Sequence, residues 1–170
     1  MVMAATRCCR ARRRGRGFTI LELMIVTVVI GILATIAAPS LRDMLIATQV
    51  RGAASDLFES VILARSEAIK RQANVDVVPT DGDWTTGWSV MVGTTVIETR
   101  DAAPNATITA NTTGNITYRL DGRVSTAVRS LTVSTTASTH PVAARCVVID
   151  AGGRPGIKTD TDNDPSNGCN

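Results

Sequence analysis

Residues 18–38, FTILELMIVTVVIGILATIAA, form a run of 21 positions carrying one charge, Glu22. Coiled as an α-helix, such a run rises about 31 Å, the thickness of a bilayer's hydrocarbon core. A helix apolar on every side has no polar face to show to water, so it cannot be the half-buried helix of a small soluble domain. A secretory signal peptide is the competing reading, but its apolar region is shorter and ends at a small-residue cleavage site. Here a carboxylate sits inside the run, and the small residue, Gly17, lies before it. The stretch is therefore predicted to be a membrane helix that stays with the mature protein.

Residues 1–17 hold six arginines and no acidic residue, which by the positive-inside rule keeps that end in the cytoplasm. Basic leader, Gly17, Phe18, Thr19, Glu22 and the apolar run together resemble the class III signal of type IV pilins and pseudopilins. The resemblance implies that a membrane-embedded prepilin peptidase cuts after Gly17 and methylates the new amino terminus at Phe18. It also implies that Glu22 faces the terminal amine of a neighbouring subunit during filament assembly. The physical case for that role is independent. An ionisable group within a spanning segment costs up to about 2.5–3.5 kcal/mol at mid-membrane, and an ammonium beside it lowers the cost for both. A carboxylate near a helix N-terminus that simply meets the dipole is the structural alternative. The whole chain has 18 Lys+Arg against 15 Asp+Glu; without the six leader arginines the count is 12 against 15, a net side-chain charge of −3. A mildly acidic mature chain gives no charge-based reason to expect a nucleic-acid partner.

Beyond Pro39 the helical pattern continues in amphipathic form to about residue 72. Ala54, Leu57, Val61, Ala64 and Ala68 make an apolar stripe at steps of three and four, which Phe58, Ile62 and Ile69 are expected to widen. Pro39 is a place to bend and Gly52 a weak point. The segments ARSEAIKRQANV (64–75) and DWTTGWSVMV (83–92) are similar to the GspH/FimT branch of the pilin family, the minor pseudopilins and minor pilins. From residue 73 the chain is rich in Thr, Val, Ser, Gly and Asn, and short β-forming runs alternate with turn residues. Strands are expected at 75–78, 88–92, 95–99, 107–110, 116–120, 131–134 and 145–150, with turns at Gly93 and at Asp121–Gly122. Trp84 and Trp88 are expected to fill the core between helix and sheet.

The organisation read from the chain is a cleaved leader at 1–17, a transmembrane polymerisation helix at 18–38, an amphipathic helix at 39–72 and a β-rich head at 73–170. The fold class is α+β and type IV pilin-like, one long N-terminal helix packed on an antiparallel β-sheet head. Cys8 and Cys9 leave with the leader. Cys146 and Cys169 then remain as a pair in a domain outside the cytoplasm, where a disulfide persists, and the pilin family often closes its C-terminal loop this way. On the chain-entropy argument a bridge closing about 24 residues contributes about 3.4 kcal/mol.

Two constellations lie inside that loop. Gly153 and Arg154 are similar to the start of the G-R-x-R motif of DNA-binding FimT-like pilins, but Gly156 stands where the second arginine belongs and Lys158 is two residues farther. A Gly-Gly hairpin with an exposed arginine is the preferred reading. Asp160, Asp162 and Asp164 resemble half of a calcium loop, without the glycine an EF-hand needs; a solvated acidic run is preferred. Asn105, Asn111 and Asn115 head N-x-S/T sequons and are expected to mark polar loops or strand edges. The single histidine, His140, stands in a Ser/Thr-rich stretch with no nucleophile, metal-ligand or phosphate-loop pattern around it. The expectation is a non-enzymatic, cofactor-free filament subunit of a bacterial inner membrane, with its head in the periplasm. Its partners are the other pilins or pseudopilins, the prepilin peptidase and the assembly machinery. Three readings compete: a pseudopilin of type II secretion, a minor pilin of a type IV pilus, and a DNA-binding module displayed on such a pilus.

Overall fold

The computed structural model of the chain describes residues 18–101, 103–126, 130–138, 142–161 and 169. The leader with Gly17, His140, Asp162 and Asp164 lie outside the described residues. Among the described residues one α-helix, α1 (Ile20–Arg71), is followed by eight strands and two short 3-10 turns. Contacts divide the chain between Ala37 and Ala38. In the first unit the described residues from Ile20 on are helical; their apolar side chains are exposed, and the helix is long and apolar enough to cross a membrane. Its two inward-hydroxyl threonines, Thr27 and Thr35, donate back to the Met24 and Ile32 carbonyls at 2.9 and 2.7 Å, so neither leaves an unmet donor in the apolar run. Helical geometry is continuous through both Pro39 and Gly52.

In the second unit α1 turns one face to a core. Val50, Ala53, Ala54, Leu57, Val61, Ala64 and Ala68 are fully covered. The stripe widens through Phe58, which packs half-buried against the core as expected, but not through Ile62 and Ile69, which flank it and stay 43% and 50% exposed, Ile69 beside the Gly122 turn. On its other side it widens through Ser60 and Glu67. Glu67 holds Lys70 at 3.2 Å and also Arg71, both in the last helical turn, and these cations hold its carboxyl below the usual range against the opposing effect of burial. Their charges also complement the helix C-terminus. The helix ends in a Schellman-type turn, with the Ala73 N–H on the Ala68 carbonyl at 3.3 Å and Gln72 at φ 51° where glycine is usual. The ARSEAIKR segment is thus a core-facing alanine pair joined to a charge clamp.

The strands form two antiparallel sheets where one was expected. The first has the order β3 (Thr95–Asp101), β2 (Gly87–Val92), β1 (Val75–Pro79), β5 (Ile116–Tyr118). The second has the order β4 (Thr107–Ala110), β6 (Ser130–Ser134), β7 (Arg145–Ile149), β8 (Pro155–Thr159). Register places Val77 opposite Val90 and Ile116, and Val75 opposite Tyr118, so the inner face is apolar across β1, β2 and β5. On the edge strand β3 the same face carries Glu98 and Arg100, which pair with each other and, through Arg100, with Asp56 and Glu59 of α1. In the second sheet Ile108 faces Val133, and Leu131 faces Val147. Both inner faces join the helical stripe in one core. Trp84 and Trp88 are buried in it, as their place beside the turn implied.

Between β1 and β2 the DWTTGW segment makes a short 3-10 turn over Trp84–Thr86. Asp83 caps it by accepting the Thr85 N–H at 2.8 Å, and Gly87 leaves it at φ 118°. The Thr85 hydroxyl donates to the Ile108 carbonyl and accepts the Ile108 N–H, at 3.3 and 3.2 Å, linking this turn to the second sheet. Gly93 turns β2 into β3 at φ 57°. The Asp121–Gly122 turn also forms, with the Gly122 N–H on the Arg119 carbonyl at 2.8 Å, but the returning chain pairs only as a Tyr118–Val124 bridge.

Candidate functional site

Two places carry the residues singled out from the sequence. At the first, Thr19 precedes α1, and its side-chain oxygen accepts the Glu22 N–H at 3.2 Å while its carbonyl accepts the Leu23 N–H at 3.1 Å. Thr19 is therefore the N-cap and Glu22 the third helical residue, the T-x-x-E spacing of a capping box. That spacing is legible in the sequence as Thr19 and Glu22. It explains how a carboxylate stands at the very start of an apolar helix: the N-terminal end of the dipole favours it there. Phe18, Ile20 and Leu21 around it are exposed. Gly17, the expected cleavage residue, lies outside the described residues.

At the second place, the C-terminal hairpin, Cys146 and Cys169 are joined by a disulfide. Cys146 stands on the face of β7 opposite the core, beside the Thr132 hydroxyl at 3.3 Å. The segment from Asp150 to Arg154 turns β7 into β8. The Asp150 carboxylate accepts the Arg154 N–H at 2.8 Å, its own N–H bonds the Arg154 carbonyl at 3.0 Å, and the Gly153 N–H bonds the Asp150 carbonyl at 3.0 Å. The Arg154 amide is the main cause that holds the Asp150 carboxyl below the usual range, with burial opposing it and the Gly152 amide and the Arg154 and Arg65 charges assisting.

Gly153 is the tightest point of the head. At φ 79°, a Cβ on it would lie 2.2 Å from the Gly122 carbonyl oxygen, 3.1 Å from the Tyr118 ring and 3.2 Å from the Arg123 Cα. The Gly153 carbonyl accepts the buried Tyr118 hydroxyl at 3.0 Å, and burial pushes that phenol well above its ordinary range. The glycine of the Gly-Arg pair therefore serves the packing of two turns. The same approach gathers Arg119, Arg123 and Arg154, all exposed, at one end of the head. Lys158 is exposed on β8 opposite Cys146, on the face turned away from the core.

Asp160, the first of the three aspartates weighed as a calcium loop, is buried, while Asp162 and Asp164 lie outside the described residues. Among the described residues no group of three His, Cys, Asp or Glu is placed to hold a metal ion. Asn105, Asn111 and Asn115 all fall in the connections flanking β4 and β5, and Asn105 donates to Gln49 of α1 at 2.9 Å.

Residues 53–153 match the family model described as type II transport protein GspH, and residues 12–38 match the prokaryotic N-terminal methylation motif. The type IV major fimbrial protein FimA of Dichelobacter nodosus is 36% identical over 101 residues, covering 59% of this chain and 56% of that protein. A fimbrial protein of Pseudomonas aeruginosa is 45% identical over 60 residues, 32% of this chain and 39% of the relative. The chain spans about half or less of the curated relatives it matches. Two crystal structures of the Pseudomonas aeruginosa type IV minor pilin FimU share the fold, with TM-scores of 0.56 and 0.51 at 18% and 19% identity. The first alignment covers 72% of this chain and 96% of the FimU chain.

Proposed function

The chain belongs to the GspH/FimT branch of the type IV pilin family, and from that premise we propose that it is a minor subunit of a membrane-assembled helical filament. The observation that carries this reading is the junction, in one chain, of an N-terminal methylation motif at 12–38 with a GspH head at 53–153. In this reading residues 18–38 hold the subunit in the inner membrane, amino terminus in the cytoplasm and head in the periplasm, until the assembly machinery extracts it. The prepilin peptidase cuts between Gly17 and Phe18 and methylates Phe18. Glu22 then pairs with the amine of an adjacent subunit, where the low dielectric of packed apolar helices strengthens the attraction. Head-to-tail packing of this kind builds an open helical polymer. The head has no assigned chemistry; its work is to be displayed and to meet its neighbours.

Mass spectrometry of the mature protein should find methylated Phe18 as the first residue; another terminus sinks the processing half of the proposal. Glu22→Ala should leave insertion and cleavage intact and cut co-purification with other pilin subunits by about tenfold or more, the range of a lost intersubunit charge pair. Unchanged co-purification would remove the pairing role. The family model favours a type II secretion pseudopilus and the FimU likeness a type IV pilus. Deleting the gene separates the two, since the first predicts lost protein secretion and the second lost surface pili.

A second reading, DNA binding for uptake, is favoured by one observation, the gathering of Arg119, Arg123 and Arg154 at one end of the head. Against it, Gly156 stands in place of the second motif arginine, and the chain without its leader carries a net side-chain charge of −3. The full chain in detergent should bind duplex DNA no tighter than the nonspecific range of about 10⁻⁴–10⁻⁶ M at physiological salt. Submicromolar, salt-sensitive binding removed by Arg154→Ala would install the uptake reading instead.

A further inference from the structure

Two neighbouring cavities on the head share a pair of arginines. One, about 350 Å³, is lined by Asp43, Met44, Ala47, Arg51, Val142 and Arg145, among others. The other, about 220 Å³, lies between Arg51, Ala54, Ser55, Arg145 and Ile157. Together they form a groove between α1 and the β7–β8 edge of the second sheet, lined on both sides by Arg51 and Arg145. Neither arginine is in an ion pair among the described residues. Arg145 donates to the Thr159 hydroxyl, but its Nε is fully covered and meets no acceptor. Asp43 stands on the same wall, yet its carboxylate accepts the Ser138 hydroxyl at 2.9 Å.

A guanidinium carries five N–H donors in a planar fork that fits a carboxylate two at a time. Two such groups lining one groove repel each other, and a single carboxylate placed between them would relieve that repulsion. The adjoining turns of α1 leave Leu41, Met44 and Leu45 at 59%, 68% and 58% exposure. Whatever covers those apolar side chains arrives directly beside the arginines.

We infer that this groove receives an Asp or Glu side chain from the neighbouring filament subunit, fixing the rotation of one head against the next. The inference rests on the filament reading above. The test uses the full chain in its native membrane with its partner subunits. Arg51 is exposed on the helix, and glutamate keeps good helix propensity there, so Arg51→Glu should fold, with the Cys146–Cys169 disulfide formed as its check. Arg51→Glu is expected to lower co-purification with other pilin subunits at least tenfold, Arg51→Lys much less. Suppressors of Arg51→Glu should place Lys or Arg at an acidic position of a partner's head. Unchanged co-purification for Arg51→Glu while Glu22→Ala abolishes it would overturn the groove and leave the filament reading standing. Failure of both variants to have an effect would remove the filament reading itself. If inorganic phosphate at millimolar concentration protects the groove arginines and co-purification ignores Arg51→Glu, the groove is a phosphate site and the inference is wrong.

Discussion

Gly153→Ala is expected to destabilise the head by about 3–5 kcal/mol, a large share of the roughly 5–15 kcal/mol that holds an ordinary domain folded. Two costs add. The residue sits at φ 79°, where an L side chain is strained, and the new methyl would meet the Gly122 carbonyl oxygen at 2.2 Å. That oxygen is backbone and cannot swing away, so the turn around Gly153 would have to lift off the turn around Gly122. The lift would also break the Tyr118 hydroxyl's bond to the Gly153 carbonyl and leave a buried phenol without a partner. Denaturant unfolding of the full chain, followed by the fluorescence of Trp84 and Trp88, reads the effect directly, because both tryptophans lie in the head core. Gly156→Ala is the control. There the nearest atom to a new Cβ is the Val148 carbonyl oxygen at 4.0 Å, and the expected change is within about 0.5 kcal/mol. A Gly153→Ala variant within 1 kcal/mol of the parent would show that the two turns do not meet as described.

Cys146→Ser should cost about 2–5 kcal/mol, because the bridge restrains the unfolded chain and fastens the C-terminal segment to β7. The serine hydroxyl is close in size to the thiol, so little packing changes on the Thr132 side of the sheet. Reducing the parent protein should reproduce the loss, and reducing the variant should add nothing. If Cys146→Ser and the parent unfold at the same denaturant concentration under oxidising conditions, the bridge carries no stability.

Much of this fold was open to reading in the sequence, for identifiable reasons. The apolar run, the stripe from Ala54 to Ala68 and the strand at 107–110 are written in local periodicity, and the structure keeps each. β8 was not legible, since Pro155 and Gly156 are poor strand formers. The strand exists because Pro155 opens it at a sheet edge, where a missing N–H does no harm, and because β7 offers the other half of the ladder. The division into two sheets was hidden for a related reason. β1 pairs with β5 across β2, β3 and β4 in the chain, and no local pattern records so distant a partner. Ile62 and Ile69 were misassigned because helical spacing alone does not say which side of a broad stripe the sheets will cover. At the candidate sites, Glu22, Cys146 and Cys169 stood out by composition. The groove of Arg51 and Arg145 did not, because those residues are 94 positions apart and meet only through the fold.

The Thr85 hydroxyl, bonded both ways to the Ile108 peptide, has a mechanical consequence. Two sheets that share one apolar core can still part like the covers of a book if nothing crosses the seam. Here Thr85 crosses it at one place, and the Tyr118 hydroxyl, reaching from β5 to the turn after β7, crosses it at another. A subunit pulled by its helix therefore cannot open its two sheets at this seam without breaking both ties. The head resists as a single body until the load exceeds what the whole core can bear, and then it gives way at once.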